Sequence, residues 1–286
     1  MKKKPDNSAA AILSRRLDSL LDARKACLKH DDLETVHDLR VATRRMRAAL
    51  QLFEPFSPEP VREIYLPVRE LTREIGQLRN LDEALLFFLD EIGLPGEGKE
   101  CPDLVKRLRA QRMQEAARVR KQLKGLGLAA LKHDLELVAA RLPLPESCNG
   151  GSRKGATSLA GFLSQSGVAL FEDIHHLLPM SVMAEAVEVR HRLRIAIKRW
   201  RYFLEIVAEL TRIDYATVLE TLKEYQTLLG RLNDLSVFAA LVREGGLDSR
   251  EQSRFDSVKD GWSTRLFEDF QELLERKPLR YVFLYQ

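Results

Sequence analysis

Apolar residues recur at three- and four-residue intervals along nearly the whole chain, and no run alternates convincingly with period two. The pattern predicts helices over Ala9–Lys29, Leu33–Glu54, Pro60–Ile92, Asp103–Gly125 and Leu128–Leu142. A second set is predicted over Ser158–Leu178, Ala184–Thr211, Tyr215–Leu229, Asn233–Glu244 and Ser249–Arg276. Pro67 falls inside the third helix and is expected to kink or divide it, because proline removes a backbone donor. Gly93–Cys101 reads as a loop. Pro143–Thr157, rich in proline and glycine, reads as a linker. The apolar, aromatic tail Leu279–Gln286 fits a short strand or an extended plug equally well. The expected architecture is all-α. Residues 1–142 form one half and 158–286 the other, joined by 143–157, with four or five helices per half, the number a bundle needs.

The two halves repeat each other. His37-Asp38-Leu39-Arg40-Val41-Ala42-Thr43-Arg44-Arg45-Met46-Arg47 matches His191-Arg192-Leu193-Arg194-Ile195-Ala196-Ile197-Lys198-Arg199-Trp200-Arg201 without a gap, at an offset of 191 − 37 = 154. Gly76-Gln77-Leu78-Arg79-Asn80-Leu81 matches Gly230-Arg231-Leu232-Asn233-Asp234-Leu235 at the same offset, 230 − 76 = 154. Two matches of different composition at one offset imply a duplicated helical unit and a pseudo-two-fold relation between the halves.

On a helix turning 100° per residue, His37, Arg40, Arg44 and Arg47 share one stripe. Leu39, Met46, Leu50 and Phe53 fall opposite. In the second copy His191, Arg194, Lys198 and Arg201 form the stripe, and Leu193, Trp200, Leu204 and Val207 the apolar face. Arg45 and Arg199 flank the stripes. Like charges at these spacings each cost a helix roughly 0.2–0.5 kcal/mol. No acidic residue lies on the first stripe, while Glu205 stands four residues beyond Arg201 and is placed to pair with it. A solvated face would mix signs, as Glu220, Lys223 and Glu224 do. Such a cationic ridge calls for an anionic ligand. Arginine offers a planar fork of donors to phosphate oxygens, lysine a point charge, and histidine a further charge beside a polyanion. Each stripe covers roughly 15 Å, so the expected ligand carries many phosphates in a row, held in a basic groove or pore between two facing stripes.

The 286 residues are 45% hydrophobic and 31% charged, enough for a buried core in a soluble chain, and the net charge is only +4. The cations matter by concentration and not by excess, unlike a general nucleic-acid coat. Cys27, Cys101 and Cys148 lie too far apart in sequence for zinc or redox spacing, which fits a reducing cytoplasm. The apolar run after Met1-Lys2-Lys3-Lys4 is too short for a signal peptide, and no stretch approaches the roughly 20 apolar residues of a membrane span. The expected state is soluble and cytoplasmic.

At these residues the chain resembles the CHAD family, the conserved histidine α-helical domain. The resemblance rests on the pattern H-x-x-R-[VI]-A-x-[RK]-R-x-R at His37–Arg47 and His191–Arg201. It rests also on G-x-L-x-[ND]-L at Gly76–Leu81, echoed by Leu232-Asn233-Asp234-Leu235, and runs from about Ser8 to Arg276. It implies two four-helix bundles about a pseudo-two-fold, a central basic pore that binds inorganic polyphosphate, and targeting to polyphosphate granules. Family members are usually treated as binding modules and are often fused to a CYTH triphosphatase domain. This sequence has no E-x-E-x-K motif, so a stand-alone, non-catalytic binder without a cofactor is expected. Carried over residue by residue, His37, Arg40, Arg44, Arg45 and Arg47 would line one wall, and His191, Arg194, Lys198, Arg199 and Arg201 the other. Arg69 and Lys223, again 154 apart (223 − 69), and more weakly Arg79, are candidate secondary contacts.

Three other readings compete. The six histidines raise a metal site or a metal-dependent phosphohydrolase. However, neighbours such as His37 and Asp38, or His175 and His176, point about 100° apart on a helix, and the arginines would repel a cation. Nucleic-acid binding would use the same arginine–phosphate chemistry, but only Trp200 and Tyr202 are interleaved with the cations to stack on bases. A protein scaffold is suggested by Arg107, Arg109, Arg112, Arg118, Arg120 and Lys121, a run that reads more simply as a solvated helix face. The sequence says nothing of oligomeric state.

Overall fold

In the computed structural model, residues 8–57, 61–90, 102–141, 159–245 and 249–282 are described. They form α1 (Ala9–Lys29), α2 (Leu33–Phe53), α3 (Arg62–Asp90), α4 (Pro102–Gly125), α5 (Leu128–Arg141), α6 (Leu159–Ser181), α7 (Val187–Thr211), α8 (Ala216–Gly245) and α9 (Ser249–Arg276). There is no strand among the described residues. The expected loop Gly93–Cys101, the linker at 143–157 and the last four residues of the tail lie outside them.

Local chemistry sets the starts and stops. Ser8 Oγ accepts from the Ala11 amide at 3.1 Å and caps α1. Asp32 Oδ1 accepts from the Thr35 amide at 2.9 Å and caps α2. Arg212 ends α7 in the left-handed region, φ 63°, with its amide returned to the Ala208 carbonyl. Arg190 ties the end of α6 to α7 and α9. It donates to the carbonyls of Ser181, Met183 and Ala184, and its guanidinium lies over the Phe267 ring at 4.9 Å.

Two sequence expectations are corrected. Helix α3 continues past Pro67, so the proline does not divide it. The carbonyl that loses its partner there belongs to Glu63, on the exposed first turn, so the missing bond costs little. The break expected between Leu229 and Asn233 is absent, and α8 is one continuous helix through Gly230. Gly230 is buried, so packing outweighs its poor helix propensity. Similarly, α6 passes Pro179 and ends at Ser181. In the tail, residues 278–282 form neither helix nor strand. Leu279 and Val282 pack on the C-terminal core, and the Tyr281 ring lies 5.8 Å from Trp200.

Helices α2 and α7 begin 154 residues apart, at Leu33 and Val187 (187 − 33), and so do α3 and α8, at Arg62 and Ala216 (216 − 62). Among the described residues, no helix follows α9 as α5 follows α4. The interior is three apolar clusters. The first, around Leu13, Leu39, Met46, Phe53 and Ile75, draws almost wholly on α1 to α5. The second, around Leu193, Trp200, Leu204, Tyr225 and Phe270, draws on α6 to α9. The third, with Phe88, Leu108, Phe238 and Phe255, is shared by the distal parts of α3, α4, α8 and α9. The face predicted to be apolar on α2 (Leu39, Met46, Leu50, Phe53) is buried, as is that on α7 (Leu193, Trp200, Leu204, Val207).

A cation cluster between α2 and α7

With their apolar faces committed to separate cores, α2 and α7 touch along their polar sides. Tyr202, buried on α7, has the Arg44 guanidinium 5.6 Å and the Arg201 guanidinium 5.2 Å from its ring centroid. Glu205, one turn after Arg201, reaches Arg45 Nε at 3.0 Å and Arg201 Nε at 3.3 Å. One aromatic ring and one carboxylate therefore bind the two helices side by side.

N-terminal to that clamp, along both helices, Arg40, Arg44, Arg194 and Lys198 form a cluster, and none of the four is ion-paired to a carboxylate among the described residues. Burial, then Arg44 and Arg194, press the Arg40 guanidinium down to about 10. Arg44 is lowered by burial, partly offset by Tyr202, with Arg201 and Arg47 adding to the depression. Burial lowers Arg194, against the opposing pull of Asp234. Lys198 is affected most. Burial, then Arg44, Arg194 and Arg40, push its ammonium down to about 5, with Asp234 opposing. The cluster is both desolvated and mutually repulsive.

Of the two glycines beside the cluster, only Gly76 is needed to make room for an arginine. A methyl group on Gly230 of α8 would meet Arg194 Nε at 3.8 Å, and one on Gly76 of α3 would come much closer to Arg40. Arg194 Nε is buried without a hydrogen-bond partner, a donor left over for a ligand or water.

The other predicted site residues divide. Arg45 and Arg201 face the interface but are held by Glu205. Arg47 donates to the Tyr65 hydroxyl at 3.0 Å, and its guanidinium lies over that ring at 5.3 Å. Arg199 points elsewhere. It is 63% exposed and 3.9 Å from Asp173 of α6. His37 is exposed, whereas His191 is half-buried with Nδ1 against Asn233 Oδ1. His191 and Asn233 also line a cavity of about 450 Å³ with Arg243, Lys259 and Ser263. Arg79 pairs with Glu83 while still acting on Arg40. Arg69 is exposed, and Lys223, exposed and 3.7 Å from Glu220, sits in a mixed-charge cleft with Glu272 and Arg276.

In the basic run of α4, Arg112 donates to Asp82 of α3 at 2.8 Å and Arg120 to Asp31 at 3.1 Å. These two arginines bind helices together. Among the described residues, no three His, Cys, Asp or Glu side chains gather to hold a metal, and no helix is long and apolar enough to cross a membrane.

The roles of Tyr202, Asn233 and Gly76 were not evident in the sequence. Glu205 was placed there for Arg201 but not for Arg45, 160 residues away.

A family model described as CHAD domain matches residues 11–243. Among solved structures, the crystal structure of the CHAD domain from the plant Ricinus communis superimposes with a TM-score of 0.68 and 24% identity, over 95% of this chain and 91% of that one. PptA from Streptomyces chartreusis superimposes with a TM-score of 0.62 and 15% identity, over 93% of this chain and 98% of that one. At these identities the likeness is one of fold. No curated protein matches the chain.

Proposed function

Because the chain belongs to the CHAD domain family, we propose that it binds inorganic polyphosphate, without catalysis, through the cations of α2 and α7. One observation carries this reading. Arg40, Arg44, Arg194 and Lys198 crowd together, largely buried, with no carboxylate of the described chain paired to them. A protein keeps such a group only where a ligand supplies the missing negative charge. A linear polyanion does so with a regular series of phosphate oxygens, each suited to the arginine fork. In this reading the two ridges are the walls of a basic groove or pore about a pseudo-two-fold axis. Arg45, Arg47 and Arg201 extend the walls once the ligand competes for them, and the protein works in the cytoplasm at polyphosphate granules.

The test is titration with size-defined polyphosphates of the wild type and of the double variant Arg40→Ala/Arg194→Ala. Affinity should rise with chain length until the groove is filled, fall with added salt by counterion release, and drop about a hundred-fold or more in the double variant at unchanged helix content. Equal affinity for orthophosphate and a long chain would sink the reading, and so would preference for RNA or DNA in competition.

A further inference from the structure

The duplicated halves differ at one matched position. Asp82 of α3 and Ser236 of α8 stand 154 residues apart (236 − 82), as do the starts of the helices that carry them. Asp82 is buried and accepts from Arg112 of α4 at 2.8 Å, and Arg112 also lies 3.9 Å from Asp31. Ion pairs therefore close that side of the first half. Ser236 carries no charge, is exposed, and lines a cleft of about 450 Å³ between α7, α8 and α9. Where the first half is locked, the second is open.

The cleft has an apolar floor and polar walls. Leu229, Leu232, Leu235 and Ala239 of α8 make the floor, and Arg243 stands at its end. From Leu229 to Arg243 the helix rises roughly 20 Å. Helix α7 supplies His191, whose Nδ1 meets Asn233 Oδ1. An amide oxygen only accepts, so Nδ1 carries the proton and Nε2 of the neutral ring is an acceptor. Helix α9 supplies Ser263 and the pair Lys259 and Asp260, with Nζ 3.1 Å from Oδ1. Arg243 is exposed at the rim and has no ion pair or hydrogen bond among the described residues. Arg40, Arg44, Arg194 and Lys198 do not line the cleft, so it is distinct from the cluster between α2 and α7.

We propose that this cleft binds a nucleoside phosphate, its phosphates on Arg243 and Lys259 and its base on the leucine floor. The volume falls in the range of small-molecule sites, roughly 300–1,000 Å³. A bare phosphate leaves the apolar floor uncovered. A sugar phosphate sets hydroxyls against leucines, which costs their hydration without return. A base puts an apolar face on the floor and keeps its hydrogen bonding for the edge, where the Ser263 hydroxyl and His191 Nε2 meet it. The Asp260 carboxylate accepts from a ribose hydroxyl. Glu188 and Asp260 also stand among the cations, so a long polyanion is disfavoured there while a short one is held at the Arg243 end.

The experiment titrates the intact chain with ADP and with ribose 5-phosphate by calorimetry, without polyphosphate. ADP should bind once per chain, roughly ten-fold or more tighter than ribose 5-phosphate, because only ADP covers the floor. Arg243→Glu should weaken ADP roughly ten-fold or more. Ser263→Trp should abolish its binding by filling the cleft. Both variants, checked for helix content, should keep their affinity for long-chain polyphosphate. Arg40→Ala/Arg194→Ala should keep its affinity for ADP. No binding of ADP, or equal affinity for ribose 5-phosphate, overturns the proposal. So does ADP binding that survives both cleft variants; its loss in Arg40→Ala/Arg194→Ala would then place the nucleotide in the cation cluster. A wild type that binds ADP in this pattern but not polyphosphate would remove the function proposed above and leave the cleft as a nucleotide site.

Discussion

A methyl group on Gly76 would lie 2.7 Å from Nη1 of Arg40. The contact is with the free end of a long side chain, so Gly76→Ala would displace the guanidinium and leave the helix in place. Because alanine favours a helix over glycine by about 0.5–1 kcal/mol, the variant should be as stable as the wild type or slightly more so. Its polyphosphate affinity should nevertheless fall several-fold. Gly230→Ala, with 3.8 Å to Arg194 Nε, should keep full affinity. Thermal unfolding and titration of both variants check this. Equal losses in the two, or none, would contradict the assigned role of Gly76.

Lys198 makes stability depend on pH. Its folded-state value is pushed down to about 5, while in the unfolded chain it returns to about 10.4. Between those values the unfolded state holds a proton that the folded state lacks, so stability rises with pH across that window, by at most about 1.4 kcal/mol per pH unit for one proton. Below the window both states are protonated and the whole penalty is felt. Lys198→Met should be more stable at neutral pH and have a flatter profile. Urea denaturation at several pH values between 6 and 9 tests it, and a parallel profile in the variant would count against the depressed lysine.

The same linkage acts on the ligand. A polyanion beside Lys198 restores its charge, so binding should take up as much as one proton per chain near neutrality, and affinity should grow as the pH falls. Calorimetry in buffers of different ionisation enthalpy reads the proton directly. Lys198→Met should abolish that uptake while retaining weaker binding through the arginines.

Glu205 is the countercharge the protein provides for itself. Glu205→Gln should cost about 0.5–1.5 kcal/mol of stability, since the Arg45 contact between α2 and α7 and the Arg201 contact within α7 weaken together. It should also release Arg45 and Arg201 to the ligand, tightening polyphosphate binding and steepening its salt dependence. Unchanged salt dependence would mean that these two arginines never reach the ligand.

The parts legible in the sequence were those governed by short-range periodicity. The stripe of Arg40 and Arg44 and the opposing Leu39, Met46 and Phe53 follow from 100° per residue, and the bounds of α1 and α9 fell where they were expected. Pro67 and Gly230 misled because each carries a local penalty that position and packing overcome. The choice among cations was not legible. Arg45 and Arg44 are neighbours with similar chemistry, yet one meets Glu205 and the other the Tyr202 ring, contacts made across 160 and 158 residues (205 − 45 and 202 − 44). No periodicity encodes partners so distant.

Phe88, Phe238 and Phe255 bring side chains from both halves of the chain into one shared apolar cluster. Each such ring buries roughly 1.5–3 kcal/mol of hydrocarbon that parting α3 from α8 would return to water. That adhesion holds Arg40 and Lys198 at close quarters against their mutual repulsion before any anion arrives. Under the proposed function, the binding surface would therefore be preorganised. A ligand would meet charges already gathered, and the work of assembling them would be done once, when the chain folds.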